Sequence, residues 1–170
     1  MKIRNISEFK FSQIDGSHQL FADEHPCKFA LLDLGERLGV YGLGWNSELI
    51  DSEIVSSADG QAVWVGVDRY LAAIEMGNGR ICAALKLHTN LLQILALERL
   101  TAVRTETEIL LFNPDFSVFL NKGFPNITKE MSIEGDKLVI HFLEEDSLML
   151  NLLTGRQAFG SSPQAAVKTT

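Results

Sequence analysis

The chain has 170 residues, 46% of them apolar and 22% charged, with a formal charge of −7 and a pI near 5.1. That length suits one domain, and the apolar share excludes global disorder. The acidic balance excludes a broad phosphate-binding surface, because affinity for nucleic acid comes largely from Lys and Arg that displace counterions.

The N-terminal run Met1-Lys2-Ile3-Arg4-Asn5 lacks a signal-peptide apolar region, and no apolar stretch approaches the roughly 20 residues that span a bilayer. A cytoplasmic protein with no membrane role is expected. From there the chain alternates short apolar segments with turn formers, first Asp15-Gly16, then Asp59-Gly60, Gly77-Asn78-Gly79, Asn113-Pro114-Asp115 and Glu134-Gly135-Asp136. Segments of about five residues with β-branched and aromatic content between such turns predict hairpins. Glu24-His25-Pro26-Cys27 groups three types of metal ligand, but one cluster falls short of the four ligands of a structural zinc site, so a polar turn fixed by Pro26 is the plainer reading. Gly39-Val40-Tyr41-Gly42-Leu43-Gly44 is neither a dinucleotide fingerprint nor a P-loop. Its glycines predict close approach of an aromatic ring or a neighbouring backbone, with Tyr41 and Trp45 covering the bare surface.

Ala62-Val63-Trp64-Val65-Gly66-Val67 is the clearest strand, and its alternation sends Trp64 to the face opposite Val63 and Val65. Cys82 sits in the apolar run Ile81–Leu85 and, like Cys27, is expected to be a buried free thiol. Residues 87–100 fit two periods. Leu87, Leu91, Ile94 and Leu95 have helical spacing, whereas Leu91, Gln93, Leu95 and Leu97 alternate as a strand does. Continuity with the flanking hairpins favours a strand. The tail 160–170 is small, polar and aperiodic, and is expected to be flexible beyond a single β domain over 1–159.

Four segments align: Lys28–Leu32, Tyr70–Ile74, Glu108–Phe112 and Lys137–His141. Centred on Phe29, Leu71, Ile109 and Leu138, they recur at 42, 38 and 29 residues (71 − 29, 109 − 71 and 138 − 109). The hairpin unit is reused with an irregular period. Within it, Trp64-Val65-Gly66-Val67-Asp68, then Leu71-Ala72-Ala73-Ile74-Glu75 and Gly77-Asn78-Gly79-Arg80, resembles part of a β-propeller blade, a likeness extending over residues 62–154. The resemblance implies blade-like antiparallel strands and little about activity. Blades need about 40 residues and a closed ring at least four, so a partial ring is expected, with a barrel or a sandwich as alternatives.

No Gly-x-Ser-x-Gly elbow and no activated cysteine–histidine set is present, and no cofactor or metal is predicted. Carboxylates recur near strand ends at Asp68, Glu75, Glu98, Glu106, Glu108, Glu144, Glu145 and Asp146, where solvated hairpin charge is the plain interpretation. Aromatic side chains carry much of the energy at protein interfaces, which makes Trp45, Trp64 and Tyr70 the binding candidates, although a core role is the plainer reading of Trp64. The expected function is a non-catalytic binding module for a protein partner. Its alternatives are an enzyme built on strand-end carboxylates with His25 or His88, and a barrel holding a small apolar ligand.

Overall fold

The computed structural model describes residues 1–144 and 146–158; Glu145 and residues 159–170, and with them the tail 160–170, lie outside the described residues. The protein is mostly β. Its strands form four-stranded sheets joined by hairpins, with one five-residue helix, α1 (Glu8–Ser12), and one 3-10 turn at Gly16–His18 among the described residues. The chain divides into two compact units, Met1–Gly123 and Phe124 onward.

The first unit holds three sheets. Sheet 1 contains β1 (Lys2–Asn5), β2 (Gln19–Ala22), β3 (Lys28–Asp33) and β4 (Val40–Trp45) in the order β1-β3-β4-β2, with β2 parallel to β4 and the rest antiparallel. Sheet 2 is an antiparallel meander of β5 (Glu53–Ser56), β6 (Ala62–Val67), β7 (Tyr70–Glu75) and β8 (Ile81–Lys86). Sheet 3 repeats that meander with β9 (Leu91–Ala96), β10 (Thr101–Thr105), β11 (Glu108–Phe112) and β12 (Val118–Gly123). The ambiguous segment 87–100 therefore carries a strand, because the antiparallel partners Val103 opposite Ile94 and Ala102 opposite Leu95 outweigh local helical preference.

Sheet 2 is covered on both faces. Val63, Val65, Val67, Ala72 and Ile74 pack with Ala30, Leu32, Tyr41, Leu43 and Trp45 of sheet 1. Trp64, Leu71 and Ala73 face the other way and pack with Leu91, Ile94, Val103, Leu110 and Phe112 of sheet 3. The period-2 alternation of β6 thus feeds two cores at once, which is why all six of its residues are buried. Gly66 sets the spacing on the sheet 3 side: a Cβ there would lie 2.5 Å from Leu91 Cδ1 and 3.2 Å from Ile94 Cδ1. Gly66→Ala is expected to destabilise the protein by about 1–3 kcal/mol through overpacking, read as a lowered melting temperature. An unchanged melt would mean that sheet 3 tolerates a wider separation than this packing implies.

The outer face of sheet 1 is closed by α1. Ser7 caps the helix, its Oγ accepting from the Lys10 N–H at 3.3 Å, and Phe11 is the helix's buried residue. The Phe11 ring lies where Cβ atoms on Gly42 and Gly44 would stand, at 2.9 and 3.2 Å, and its centroid is 5.2 Å from that of Phe29. An aromatic ring does approach the glycine-rich strand, as expected, but it is Phe11. Tyr41 and Trp45 alternate with the glycines and point to the opposite face, into the core shared with sheet 2.

The second unit contains β13 (Thr128–Glu134), β14 (Lys137–Phe142), β15 (Ser147–Asn151) and β16 (Gln157–Ala158), again an antiparallel meander. The four segments aligned in the sequence are β3, β7, β11 and β14, one internal strand from each sheet. Their period is irregular because β7 and β11 are third strands and β14 is a second strand. Measured between first strands, Glu53 to Leu91 is 38 residues and Leu91 to Thr128 is 37 (91 − 53 and 128 − 91), the regular repeat of a propeller-like fold.

Candidate functional site

Of the three aromatic candidates, Trp45 ends β4 of sheet 1, and Tyr70 and Trp64 lie in sheet 2. Trp45 and Tyr70 lie at the end where β6 turns into β7. There Asp68, buried and with φ +51°, accepts the Asn46 and Ser47 N–H groups on Oδ2 at 3.0 and 2.8 Å. This carboxylate clamps the β4–β5 connection to the turn, a structural use that explains its burial. Tyr70 is half-buried. Its ring stacks on Phe21 at 5.5 Å, its hydroxyl donates to Asp23 Oδ2 at 3.0 Å, and Lys86 Nζ stands 5.5 Å from its centroid. Burial and the Asp23 hydrogen bond raise the Tyr70 pKa, burial being the larger cause. Trp45 is only 4% exposed, so in place of the exposed surface allowed by its sequence context it forms part of the core. It lines an open depression of about 370 Å³ with Lys28, Asp51 and Ser52, groups of opposing charge. Lys28 Nζ already donates there to the Glu48 carbonyl.

Trp64 lies toward the other end, and it is 2% exposed. Trp64 is a core residue, the plainer of its two readings: both faces of sheet 2 are covered, so neither set of alternating side chains is free. Its ring packs against Phe112 and Phe116, with centroids 4.8 and 5.9 Å away. Yet Trp64 lines the base of a small cleft, about 40 Å³, formed where the β5–β6, β9–β10 and β11–β12 turns meet. Phe116 adds the second aromatic ring, while Leu97, Leu100 and Pro114 supply aliphatic surface. The charged groups lining it are Asp59, Glu98 and Arg99.

Phe116 is the residue that sequence reasoning missed. It has φ +68°, a left-handed conformation in which a bulky side chain is an outlier. The β5–β6 turn shows what normally occupies that place. Gly60, at φ +69°, donates its N–H to Ser57 O at 2.9 Å, as Phe116 donates to Asn113 O at 2.9 Å. In both turns an aspartate Oδ1 accepts the next N–H along, Asp59 from Gln61 and Asp115 from Ser117, both at 3.0 Å. The signal was present as Asp115-Phe116 where the sister turn reads Asp59-Gly60, a non-glycine in the one position that asks for glycine. Strain of this kind costs on the order of 1 kcal/mol and concentrates at functional sites. Hydrogen bonds from Ser57 and Ser117 respectively hold the pKa values of Asp59 and Asp115 below the ordinary carboxylate value, so both are anionic at neutral pH.

Three of the strand-end carboxylates have polar or charged partners of their own. Glu75 faces Arg80 at 3.5 Å, Glu106 accepts from Asn90 at 3.0 Å, and Glu108 meets His88 Nδ1 at 3.1 Å. His25 is exposed, and the expected burial of both thiols is corrected: Cys27 is exposed, held by its Sγ donating to Asn46 O just before β3, and Cys82 is only half-buried. Among the described residues no group of three or more His, Cys, Asp or Glu is placed to hold a metal ion, and Cys27 and Cys82 are free. No helix among the described residues is long and apolar enough to cross a membrane.

No family profile matches the chain, and no curated protein is similar to it in sequence. Solved structures do resemble it. The WD40 domain of Pan2 from Neurospora crassa superposes with a TM-score of 0.50 at 9% identity, over 62% of this chain and 36% of that one. The N-terminal domain of Nup159 gives 0.50 at 10% identity, over 62% of this chain and 32% of that one. The chain thus matches about a third of the length of either structure. At such low identity the likeness is one of fold: hairpin sheets in a propeller-like arrangement, with no specific family assigned.

Proposed function

We propose that this chain is a non-catalytic binding module that engages a protein partner through the cleft at Trp64 and Phe116. The observation that carries the reading is the strained backbone of Phe116. A turn whose sister uses glycine holds a phenylalanine at the same conformation, and the ring it presents sits beside the buried Trp64 at a solvent-open cleft. A fold under selection for stability alone would place glycine there. The cleft's size supports a macromolecular partner: small-molecule pockets run to roughly 300–1,000 Å³, whereas 40 Å³ receives the end of one side chain. An aromatic anchor site ringed by polar groups has the anatomy of a protein-binding hot spot. A cytoplasmic setting belongs to the same proposal, in keeping with two free thiols.

The test uses peptides selected against the full chain from a random displayed library, then measured on Phe116→Gly and Phe116→Asn. Either substitution suits a left-handed backbone and relieves strain of about 1 kcal/mol, which partly offsets the loss of the half-buried ring: its contact with Trp64, worth roughly 0.5–1.5 kcal/mol, and the apolar area it covers on the core. The melting temperature is therefore expected to fall by several degrees with the fold retained. Affinity is expected to fall at least about tenfold, about 1.4 kcal/mol. Selected peptides that bind wild type and both variants equally would place the partner surface elsewhere.

A further inference from the structure

We infer that the cleft takes a lysine or arginine side chain from a basic segment of the partner; this rests on the cleft being the partner site. Three features point to a cation. The half-buried Phe116 lines the cleft beside the buried Trp64, and an aromatic ring is a partner for a cation. Asp59 and Glu98 line the same cleft against a single cation, Arg99, and Asp115 stands on the turn that carries Phe116, so the local balance is negative. Asp59 and Asp115 are held ionised by their own turn hydrogen bonds, so the field does not depend on the partner's arrival.

The shape agrees with that chemistry. Leu97, Leu100 and Pro114 give an aliphatic lining against which the methylene stem of a Lys or Arg side chain can lie while its charged end reaches the carboxylates. Asp59 commits Oδ1 to Ser57 and Gln61, leaving Oδ2 for a ligand. An acidic segment would meet these carboxylates unpaired, and the charge of −7 on the whole chain would oppose its approach while steering a basic one in.

The experiment is titration of the isotopically labelled full chain with three nine-residue glycine–serine peptides, identical except for a central arginine, norleucine or glutamate, followed by amide chemical shifts. The arginine peptide is expected to shift amides in 57–62, 97–101 and 113–117, and to bind at least about tenfold more tightly than the norleucine peptide. Its affinity should fall severalfold between about 50 and 300 mM salt, as for any charge-driven contact. Asp59→Asn with Glu98→Gln should weaken it at least about fivefold with the fold unchanged, since the side-chain amide introduced by Asp59→Asn keeps an acceptor oxygen for the turn. Equal binding of norleucine and arginine peptides at these amides would overturn the cationic assignment and leave the cleft as the partner site. If none of the three peptides, nor any library-selected one, perturbs those amides, both readings fall.

Discussion

Replacement of Trp64 by alanine is expected to destabilise the protein by about 3–5 kcal/mol, the largest effect of any single truncation in the first unit. Trp64 is the largest of the fully buried side chains and belongs to the core between sheets 2 and 3, with Leu71, Leu91, Val103 and Phe112 around it. Removing the indole deletes its transfer energy and leaves a void that the flanking strands cannot fill, because β6 and β7 are held by their ladder to β5 and β8. Set against a total of roughly 5–15 kcal/mol for a domain, that loss empties the folded state at moderate denaturant. Denaturant titration followed by far-ultraviolet circular dichroism reads it directly. A loss below about 1 kcal/mol would mean that the core between the two sheets collapses around the gap. The magnitude also decides how binding data are interpreted: a partner lost on Trp64→Ala is explained by unfolding, whereas a partner lost on Phe116→Gly is not.

The elements legible in the sequence were those whose cause is local. The turns at Asp59-Gly60 and Glu134-Gly135-Asp136, and the alternation of Val63, Trp64 and Val65, follow from backbone freedom and the period of a pleated strand. The repeated hairpin could be seen because each sheet has an apolar inner strand. Its register could not, since second and third strands are equally apolar and nothing local separates β14 from β11. The placement of Trp45 and Trp64 was obscure for a related reason. Alternation says that two residues face opposite ways, but only the stacking of sheet on sheet says that both ways lead inward. Phe116 was obscure because a strained residue violates the local rule on which such reasoning depends.

The glycine-rich strand gives the second large effect. Phe11→Ala is expected to cost about 3 kcal/mol, since it removes the one buried side chain of α1 and uncovers Gly42, Gly44 and the half-buried Phe29. A helix of five residues has no stability of its own, so the hydrogen-bonded amides of Phe11, Gln13 and Ile14 should lose exchange protection together. Gly42→Ala should also destabilise, because the new Cβ would stand 2.9 Å from both Phe11 Cε2 and Ile14 Cδ1. The two changes are not independent. In the Phe11→Ala background the methyl group at 42 meets only the flexible end of Ile14, which can turn into the space the ring left, so Gly42→Ala should then cost much less than in the wild type. The double-mutant cycle should therefore show a coupling of at least about 1 kcal/mol, the double variant being more stable than the sum of the single losses predicts. Additive losses would mean that Phe11 does not rest on the glycines in solution, and that something other than α1 covers the outer face of sheet 1.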